Sequence, residues 1–305
     1  MPSLPQTPPI RLVITDLDNT LYDWVAWYAG ALQAMVERAS SVLGCAPERL
    51  LDELEAAYAL RGSVEEPRAL LELPSVRERF PERRSAGEAL EPALDAFVHP
   101  PEGALRAYPG VRPTLARLRE IGVPVVGHTE ATAANAVRRL RLLGLESSLV
   151  ALFAGHRRAD DGDPLPGAIN PPPPFSLQQL GPELAKPDPG TVHEICRRMG
   201  IAPAQVLYVG DNLERDVAMA RRAGAWAVWA RFGTRHDPRD WQRLVRVTHW
   251  TEEEIRRAEN PKPRSGDMPH VTLERDLAEV FEHFAFEPES ALDGAPQDSS
   301  CRESA

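Results

Sequence analysis

The chain has 305 residues, of which 43% are hydrophobic and 26% are charged, and its formal net charge at pH 7 is -10. This composition is typical of a globular protein with a sizeable core, and the length predicts about two domains, or one large domain with an insertion. The negative charge argues against a nucleic-acid partner held by general electrostatics, because phosphate backbones need a basic surface, whereas a small anionic substrate needs only a local positive site.

The cysteines and the N-terminus bear on the compartment. Cys45, Cys196 and Cys301 lie far apart, without a metal-binding spacing, which indicates a reducing compartment and no disulfide framework. The first ten residues, MPSLPQTPPI, lack the basic and apolar regions of a secretory signal, and no apolar run approaches the ~20 residues that span a bilayer. We therefore expect a cytoplasmic monomer or homodimer with no membrane partner.

Short apolar runs alternate with helical segments along most of the chain. The predicted strands are Leu12–Thr15, Val123–Gly127, Leu149–Phe153, Val206–Val209, Ala225–Ala230 and Val271–Leu273. The predicted helices between them are Thr114–Glu120, Ala131–Leu143, Pro189–Met199 and Leu213–Ala223. Nearly continuous apolar strands are typical of a sheet covered on both faces, and the alternation predicts an α/β fold with a mostly parallel sheet.

The stretch after the first strand breaks this alternation because it contains no convincing strand. Apolar residues from Val25 to Leu43 recur at helical spacing, and a second helix is predicted at Pro47–Arg61, where proline takes a favoured first position. A third helix is predicted over Glu88–Phe97. An all-helical insertion at this point is expected to form a lid over the site.

The chain is thus predicted to contain a core and an inserted domain. The core comprises residues 1–22 and 106–286, and the helical cap comprises residues 23–105. The polar tail, residues 287–305, is predicted to be disordered.

Two long segments of the predicted core show no clear pattern of strand or helix. Gly155–Gly181 is polar and rich in proline, and Thr234–Pro269 is also predicted to be a loop. The acidic run of Asp160, Asp161 and Asp163 in the first segment is more typical of a solvated loop than of a cation site.

Two aspartates lie two positions apart directly after the first predicted strand, in the stretch Asp16-Leu17-Asp18-Asn19-Thr20. Like charges held close together repel, and removal from water adds to the cost. A bound cation or the chemistry of a bound substrate usually offsets that cost, so both carboxylates are candidate site residues.

Three further motifs carry polar side chains in comparable positions. They are Gly127-His128-Thr129 at the end of the second strand, Ala185-Lys186-Pro187-Asp188-Pro189 before a helix, and Gly210-Asp211-Asn212 at the end of the fourth strand, with Asp216 on the next helix. In parallel sheets, ligands bind beyond the carboxyl ends of the strands. We therefore expect Asp16, Thr129 and Asp211 to lie at one edge of the sheet.

In these four motifs, in this order and in these strand contexts, the chain resembles the haloacid dehalogenase-like hydrolases, and specifically their aspartate-nucleophile phosphatases with a helical cap. The resemblance covers roughly Arg11 to Val280, and the opening DLDNTLY is similar to phosphoglycolate phosphatase-like and pyrimidine nucleotidase-like members. It implies a Rossmann-like parallel-sheet core with an inserted helical cap. It also implies Mg²⁺-dependent hydrolysis of small phosphorylated metabolites through a phosphoaspartyl intermediate.

The resemblance implies a role for each motif residue. Asp16 would be the nucleophile, and Asp18 would protonate the leaving alcohol and later activate water. Thr129 would donate its hydroxyl to the phosphoryl oxygens, and Lys186 would neutralise both the phosphate and the nucleophile.

The implied magnesium site uses the same strand ends. Mg²⁺ would bind the carboxylate of Asp16, the backbone carbonyl of Asp18 and the carboxylate of Asp211, while Asp216 would orient a metal-bound water. Magnesium takes few carboxylates and keeps several waters, which suits these residues.

Several of these residues also have an ordinary structural explanation. Asp216 could be an exposed acid on a helix, Lys186 a solvated surface lysine, and Thr129 the N-cap of the next helix. Glu130 departs from the small or polar residue that many relatives carry, and it would either point away from the phosphate site or pair with a basic group. His128 could line the site or could be a structural histidine.

Other functions remain open on the same scaffold. A dehalogenase is disfavoured because dehalogenation needs no leaving-group acid and those relatives lack the aspartate corresponding to Asp18. Phosphoryl transfer to a sugar, as in a mutase, would differ in its product. A non-catalytic binding protein is disfavoured because no catalytic motif residue is missing.

Overall fold

The computed structural model describes residues 8–155, 169–181 and 184–288. The seven strands within these residues form one parallel sheet in the order β4-β3-β2-β1-β5-β6-β7. They are β1 (Leu12–Thr15), β2 (Val125–Thr132), β3 (Ala151–Gly155), β4 (Ser176–Gln179), β5 (Val206–Gly210), β6 (Trp226–Ala230) and β7 (Val271–Leu273). The predicted α/β fold is confirmed.

Strand β1 occupies the centre of the sheet, between β2 and β5. All of its residues are buried, and they alternate between two hydrophobic clusters: Val13 packs in one, and Leu12 and Ile14 in the other. The strand order reverses between β1 and β5, which is where an open parallel sheet leaves a crevice at its carboxyl edge. The residue that follows β1 therefore lies at the mouth of this crevice.

Helices fill most of the chain between β1 and β2. They are α1 (Trp24–Leu43), α2 (Pro47–Arg61), α3 (Pro74–Arg79) and α4 (Arg83–Val98), with a 3₁₀ turn at Pro67–Glu72 between α2 and α3. The carboxylate of Asp23 caps α1 by accepting from the N–H of Ala26 at 2.9 Å, and Gly44 ends it in the left-handed conformation. The first two helices match their prediction, whereas α4 begins five residues before the predicted Glu88.

The helices that cover the sheet follow the predicted order. They are α5 (Val111–Ile121), α6 (Ala133–Leu142), α7 (Gly190–Met199) and α8 (Ala218–Arg222). The helix predicted at Leu213–Ala223 instead begins with a π-helical turn at Leu213–Val217. The side chain of Asn212 accepts from the N–H groups of Glu214 and Arg215, and the N–H of Val217 reaches the carbonyl of Asn212, which widens the turn to five residues.

Strands β2 and β3 both begin two residues later than predicted. Pro124 has no N–H to donate to the sheet, so regular pairing starts at Val125. Strand β2 then continues to Thr132, where a shift in register pairs Thr132 with Gly155 of β3. A Cβ at Gly155 would lie 2.3 Å from the carbonyl oxygen of Glu130, so only glycine allows this close pairing.

The prediction of two unstructured loops is wrong within the described residues. Gly155–Gly181 contains β4, an edge strand whose residues are half-buried or exposed and therefore lack an apolar pattern. Thr234–Pro269 contains α9 (Pro238–Val247) and α10 (Glu252–Glu259). Both have ordinary N-terminal signals, since Asp237 caps α9 and Thr251 forms a capping box with Glu254.

The remaining elements are short. They are α11 (Val280–His283) and the 3₁₀ turns at Glu146–Ser148, Pro203–Gln205, Arg231–Thr234 and Leu277–Glu279. The acidic run at residues 160–163 and most of the predicted tail lie outside the described residues. Among the helices of the described part, none is long and apolar enough to cross a membrane.

Helix α9 also contacts the helical segment that follows β1. Arg246 on α9 forms ion pairs with two carboxylates of α2, those of Asp52 and Glu55, the second at 2.7 Å. The region predicted to be a loop therefore contains two helices, of which α9 packs against the predicted cap.

Candidate active site

Lys186 lies at the centre of the predicted motif residues. Its ammonium group forms ion pairs with Asp16 and, at 2.7 Å, with Asp216, and its side chain is only 3% exposed. Asp16 follows β1 directly, and its N–H donates to the carbonyl of Val209 on β5 at 2.8 Å. The solvated-lysine explanation is therefore wrong, because Lys186 is buried against two carboxylates.

Three aspartates form a cluster of hard oxygen ligands. Asp16, Asp211 and Asp216 each offer a carboxylate oxygen, and these atoms all lie within 4.8 Å of one another. Carboxylate oxygens at this spacing fit a divalent cation such as Mg²⁺. The carboxylate of Asp18 does not belong to this cluster, and the assignment of its backbone carbonyl as a ligand stays a prediction.

Asp216 is held in place by β5 and by the turn that follows it, and it is not the exposed helix acid that the sequence left open. It is 2% exposed, it accepts from the N–H of Asn212 at 3.1 Å, and it accepts from the hydroxyl of Tyr208 at 3.2 Å. A Cβ at Gly210 would lie 2.4 Å from the Cβ of Asp216, so glycine is required for this approach. The π-helical turn brings Asp216 back over the end of β5.

His128 supports this arrangement from inside the sheet. Its Nδ1 lies 2.9 Å from the hydroxyl of Tyr208. Because that hydroxyl donates to Asp216, Nδ1 of His128 donates its hydrogen to the Tyr208 oxygen. Burial, together with the charge of Lys186, lowers the pKa of His128 well below its usual value. His128 is a neutral, structural histidine.

The carboxylates of the cluster carry more negative charge than Lys186 balances. Burial raises the pKa of Asp16 to about 7, although Lys186 opposes the rise. Burial and the charges of Asp16 and Asp216 raise the pKa of Asp211 well above its usual value. Burial lowers the pKa of Lys186, but Asp16 and Asp216 outweigh it and raise that pKa well above its usual value. The cluster therefore favours an added cation.

Thr129 lies on β2, lines the same cavity as Asp16 and Lys186, and is 2% exposed. Its hydroxyl oxygen accepts from the N–H of Ala131 at 3.1 Å, and a hydroxyl that accepts can still donate its own hydrogen. The N-cap of α6 is Thr132, whose side chain accepts from the N–H of Asn135. The alternative explanation of Thr129 as a helix cap is therefore wrong.

Glu130 points to a basic group, one of the two outcomes expected from the sequence. It forms an ion pair with Arg215, which lies on the π-helical turn after β5. Burial raises the pKa of Glu130, and Arg215 opposes that rise. The acidic residue after Thr129 therefore has its own cationic partner.

The side chain of Asp18 has a partner that the sequence did not indicate. Nη1 of Arg139, on α6, lies 2.8 Å and 3.0 Å from the two carboxylate oxygens of Asp18. Nη2 of Arg139 lies 2.5 Å from an oxygen of Glu65. Burial raises the pKa of Asp18, and Arg139 opposes the rise. The two carboxylates thus share one guanidinium.

A cavity of about 1660 Å³ opens over these residues. The motif residues Asp16 and Lys186 line its floor. Residues 61–68 border it from the helical segment after β1, and residues 249–264 border it from the helix pair after β6. The helical segment after β1 and the helix pair after β6 are therefore both placed to contact a molecule bound in the cavity.

Comparison with known proteins identifies relatives of the chain. The family model of haloacid dehalogenase-like hydrolases matches residues 10–224. The chain is 29% identical over 233 residues to a glyceraldehyde 3-phosphate phosphatase of Methanopyrus kandleri, covering 75% of this chain and 87% of the relative. It is 31% identical over 226 residues to a phosphoglycolate phosphatase of Pseudomonas putida, covering 74% of this chain and 71% of the relative.

Solved structures share the fold. A 2-haloacid dehalogenase of Pseudomonas syringae pv. tomato has a TM-score of 0.53 and 21% identity, with 90% of this chain and 97% of that chain covered. A haloacid dehalogenase-like phosphatase of Thermococcus onnurineus has a TM-score of 0.50 and 20% identity, with the same coverage. At these identities the likeness concerns the fold alone.

Proposed function

Because the chain belongs to the haloacid dehalogenase-like hydrolases, we propose that it is a Mg²⁺-dependent phosphomonoester hydrolase of a small phosphorylated metabolite. One observation carries the proposal: a carboxylate, Asp16, lies buried at the floor of a cavity, paired with a lysine and within 4.8 Å of two further carboxylates. Relatives that act as phosphatases support the substrate class.

In the first step a carboxylate oxygen of Asp16 attacks phosphorus, and the bond from phosphorus to the leaving oxygen breaks. Asp18 gives its proton to that oxygen, so the alcohol departs neutral. In the second step water attacks the same phosphorus atom and Asp18 accepts a proton from it. The bond between Asp16 and phosphorus then breaks, which releases inorganic phosphate and restores both carboxyl groups.

The other residues of the cluster stabilise charge during these steps. Lys186 is buried beside Asp16, where its positive charge attracts the phosphoryl oxygens, and the hydroxyl of Thr129 is free to donate to one of them. Asp16, Asp211 and Asp216, with the carbonyl of Asp18, would hold Mg²⁺, which supplies positive charge to the phosphoryl group.

Residues 23–105 are proposed to form the cap that selects the substrate. Their helices follow β1 directly, and residues 61–68 border the same cavity as Asp16. The helix pair α9–α10 borders the same cavity, so it is proposed to contribute to selection as well.

The test is hydrolysis, in the presence of Mg²⁺, of p-nitrophenyl phosphate that carries a label on its phosphate. The protein is then trapped with acid and examined for labelled phosphate. We expect wild type to release phosphate and to carry label on Asp16, and Asp16→Asn to do neither. Normal turnover by Asp16→Asn, or label on another residue, would contradict the proposal. Halide release from a haloacid, or transfer of label to a sugar phosphate, would indicate one of the other activities of the fold.

A further inference from the structure

Arg139 is a fully buried guanidinium that joins Asp18 to the helical segment after β1. It is 0% exposed, and its Nη1 bonds both carboxylate oxygens of Asp18. The guanidinium also lies over the ring of Trp27, with its central carbon 4.2 Å from the ring centroid. A cation buried against an aromatic face and bonded to both oxygens of one carboxylate fixes the direction in which that carboxylate faces.

Glu65 fixes the far end of Arg139. One of its oxygens lies 2.5 Å from Nη2 of Arg139 and accepts from the indole N–H of Trp24 at 2.5 Å. The other oxygen accepts from the side-chain amide of Asn135 at 2.8 Å. Glu65 belongs to the segment between α2 and α3, whereas Arg139 and Asn135 lie one turn apart on α6. The orientation of Asp18 thus depends on where this segment sits against α6.

We propose that Arg139 and Glu65 are positioning residues for the acid–base step: Arg139 orients the Asp18 carboxyl group toward the leaving oxygen, and Glu65 holds Arg139 in place for that purpose. This inference rests on the proposed function, because it assigns the two residues to the proton transfer of that reaction. Neither residue supplies or receives the proton.

A positioning residue acts through the group that it orients. Proton transfer requires the acid to lie within hydrogen-bond reach of the leaving oxygen, so a displaced Asp18 loses efficiency most where protonation is needed most. Phenolate is a stronger base than p-nitrophenolate and therefore needs more protonation on departure. The two phenyl esters otherwise share one ring and one phosphate, so binding contacts are nearly matched.

The first experiment compares kcat/KM for phenyl phosphate and p-nitrophenyl phosphate in wild type and Arg139→Gln. The parameter kcat/KM reports only the steps up to departure of the phenol, so the later attack of water does not affect it. For Arg139→Gln we expect kcat/KM to decrease by about 10- to 100-fold with phenyl phosphate and by at most about threefold with p-nitrophenyl phosphate. The first decrease is smaller than the roughly 10²- to 10⁴-fold contribution of a general acid, because Asp18 is still present. Equal losses on the two esters would overturn the proposal.

A matched control lies two residues away on the same helix. Arg141 pairs with Glu146 at 3.0 Å and not with Asp18, so Arg141→Gln removes an arginine of α6 without touching Asp18. We expect it to leave both kcat/KM values within about twofold of wild type. A leaving-group-dependent loss in this control would show that general damage to α6 produces the pattern, and would overturn the assignment.

A double-mutant cycle separates positioning from other roles. If Arg139 acts through Asp18, then adding Arg139→Gln to Asp18→Asn lowers kcat/KM for phenyl phosphate by less than about twofold. If Arg139 contacts the substrate or only supports the fold, the two losses multiply, and the proposal fails.

Glu65→Gln provides a second variant that keeps the volume of the side chain and leaves Arg139 with its Asp18 partner. We expect the same selective loss, about 3- to 10-fold on phenyl phosphate with p-nitrophenyl phosphate unchanged within about twofold. A loss that is equal on the two esters, or no loss, would overturn the role of Glu65. If Arg139→Gln does not fold, the result for Glu65→Gln decides whether the proposal stands. Failure of the proposed function would be recognised separately, because wild type would then be inactive or Asp16→Asn would be active.

Discussion

Replacing Asp16 with asparagine should stabilise the metal-free protein, and the gain should depend on pH. Burial raises the pKa of Asp16 in the folded protein to about 7 from the usual 3.8. Between these two pH values the folded chain binds a proton at Asp16 that the unfolded chain has lost, so stability decreases as pH rises through this window. Asparagine resembles the protonated acid at every pH and avoids this loss.

The size of the effect follows from the two pKa values. Each pKa unit corresponds to about 1.4 kcal/mol, and the shift is about three units, so the free energy of unfolding of Asp16→Asn should exceed that of wild type by about 4 kcal/mol at pH 7 and above. At pH 4, near the pKa of the unfolded chain, the difference should be below about 1 kcal/mol. The contribution of His128 is present in both proteins and largely cancels, because its pKa shift comes from burial and Lys186 and not from Asp16.

The assay is urea unfolding of both proteins in EDTA at pH 4, 5.5, 7 and 8. Asp95→Asn is the control, because Asp95 is an exposed acid on α4 whose side chain is 59% accessible, and its replacement should change stability by no more than about 0.5 kcal/mol at each pH. A constant difference between Asp16→Asn and wild type across this range would refute the reasoning. So would a variant that is less stable than wild type at pH 8, because attraction to Lys186 would then exceed the cost of burial.

Three further outcomes follow from the site and the fold. Exhaustive chelation with EDTA should abolish hydrolysis of p-nitrophenyl phosphate and added Mg²⁺ should restore it, whereas full activity after chelation would rule out the metal-dependent mechanism. Tyr208→Phe removes the hydroxyl between His128 and Asp216, so urea unfolding should show a loss of about 1–3 kcal/mol; an unchanged stability would mean that this buried chain contributes nothing. Arg246→Ala breaks exposed ion pairs with α2 and should cost less than about 1 kcal/mol by the same measurement, and a larger loss would show that α9 and α2 depend on these charges.

The edge that carries the cluster could be predicted because its residues follow strands directly. Asp16 and Asp211 are the residues that immediately follow β1 and β5. Adjacent parallel strands place their carboxyl ends side by side, independently of how the other segments pack. Lys186 lies in a segment without a strand, and only the resemblance of its motif placed it here. The structure then explains its burial by its two carboxylate partners.

The partners of Asp18 could not be predicted in this way. Arg139 is separated from Asp18 by 121 positions, and Glu65 belongs to a segment whose packing depends on several helices at once. An arginine on an amphipathic helix usually faces solvent, so the sequence offered no sign that this one is buried. Contacts of this kind depend on tertiary packing and carry no local pattern.

The helices after β6 show a different kind of failure. Local signals were present, since Asp237 precedes a proline at the first position of α9 and Thr251 lies three residues before Glu254. The apolar faces of both helices are sparse: only Leu244 and Val247 of α9 are buried, and no residue of α10 is. Hydrophobic periodicity therefore failed to reveal these two helices, although their N-terminal caps mark where they begin. Strand β4 had neither signal, because an edge strand with a polar sequence shows no alternation.

The charges of the site suggest why the added cation and the buried arginine have separate tasks. Five carboxylates, those of Asp16, Asp18, Glu65, Asp211 and Asp216, lie close to two buried cationic side chains, Lys186 and Arg139. Arg139 already forms ion pairs with Asp18 and Glu65, so its charge is not available to a phosphate dianion. Lys186 is paired with two of the three clustered carboxylates, and its single positive charge does not balance all three. A divalent cation held by Asp16, Asp211 and Asp216 would therefore add positive charge where the phosphate is proposed to bind, while Arg139 is proposed to orient Asp18.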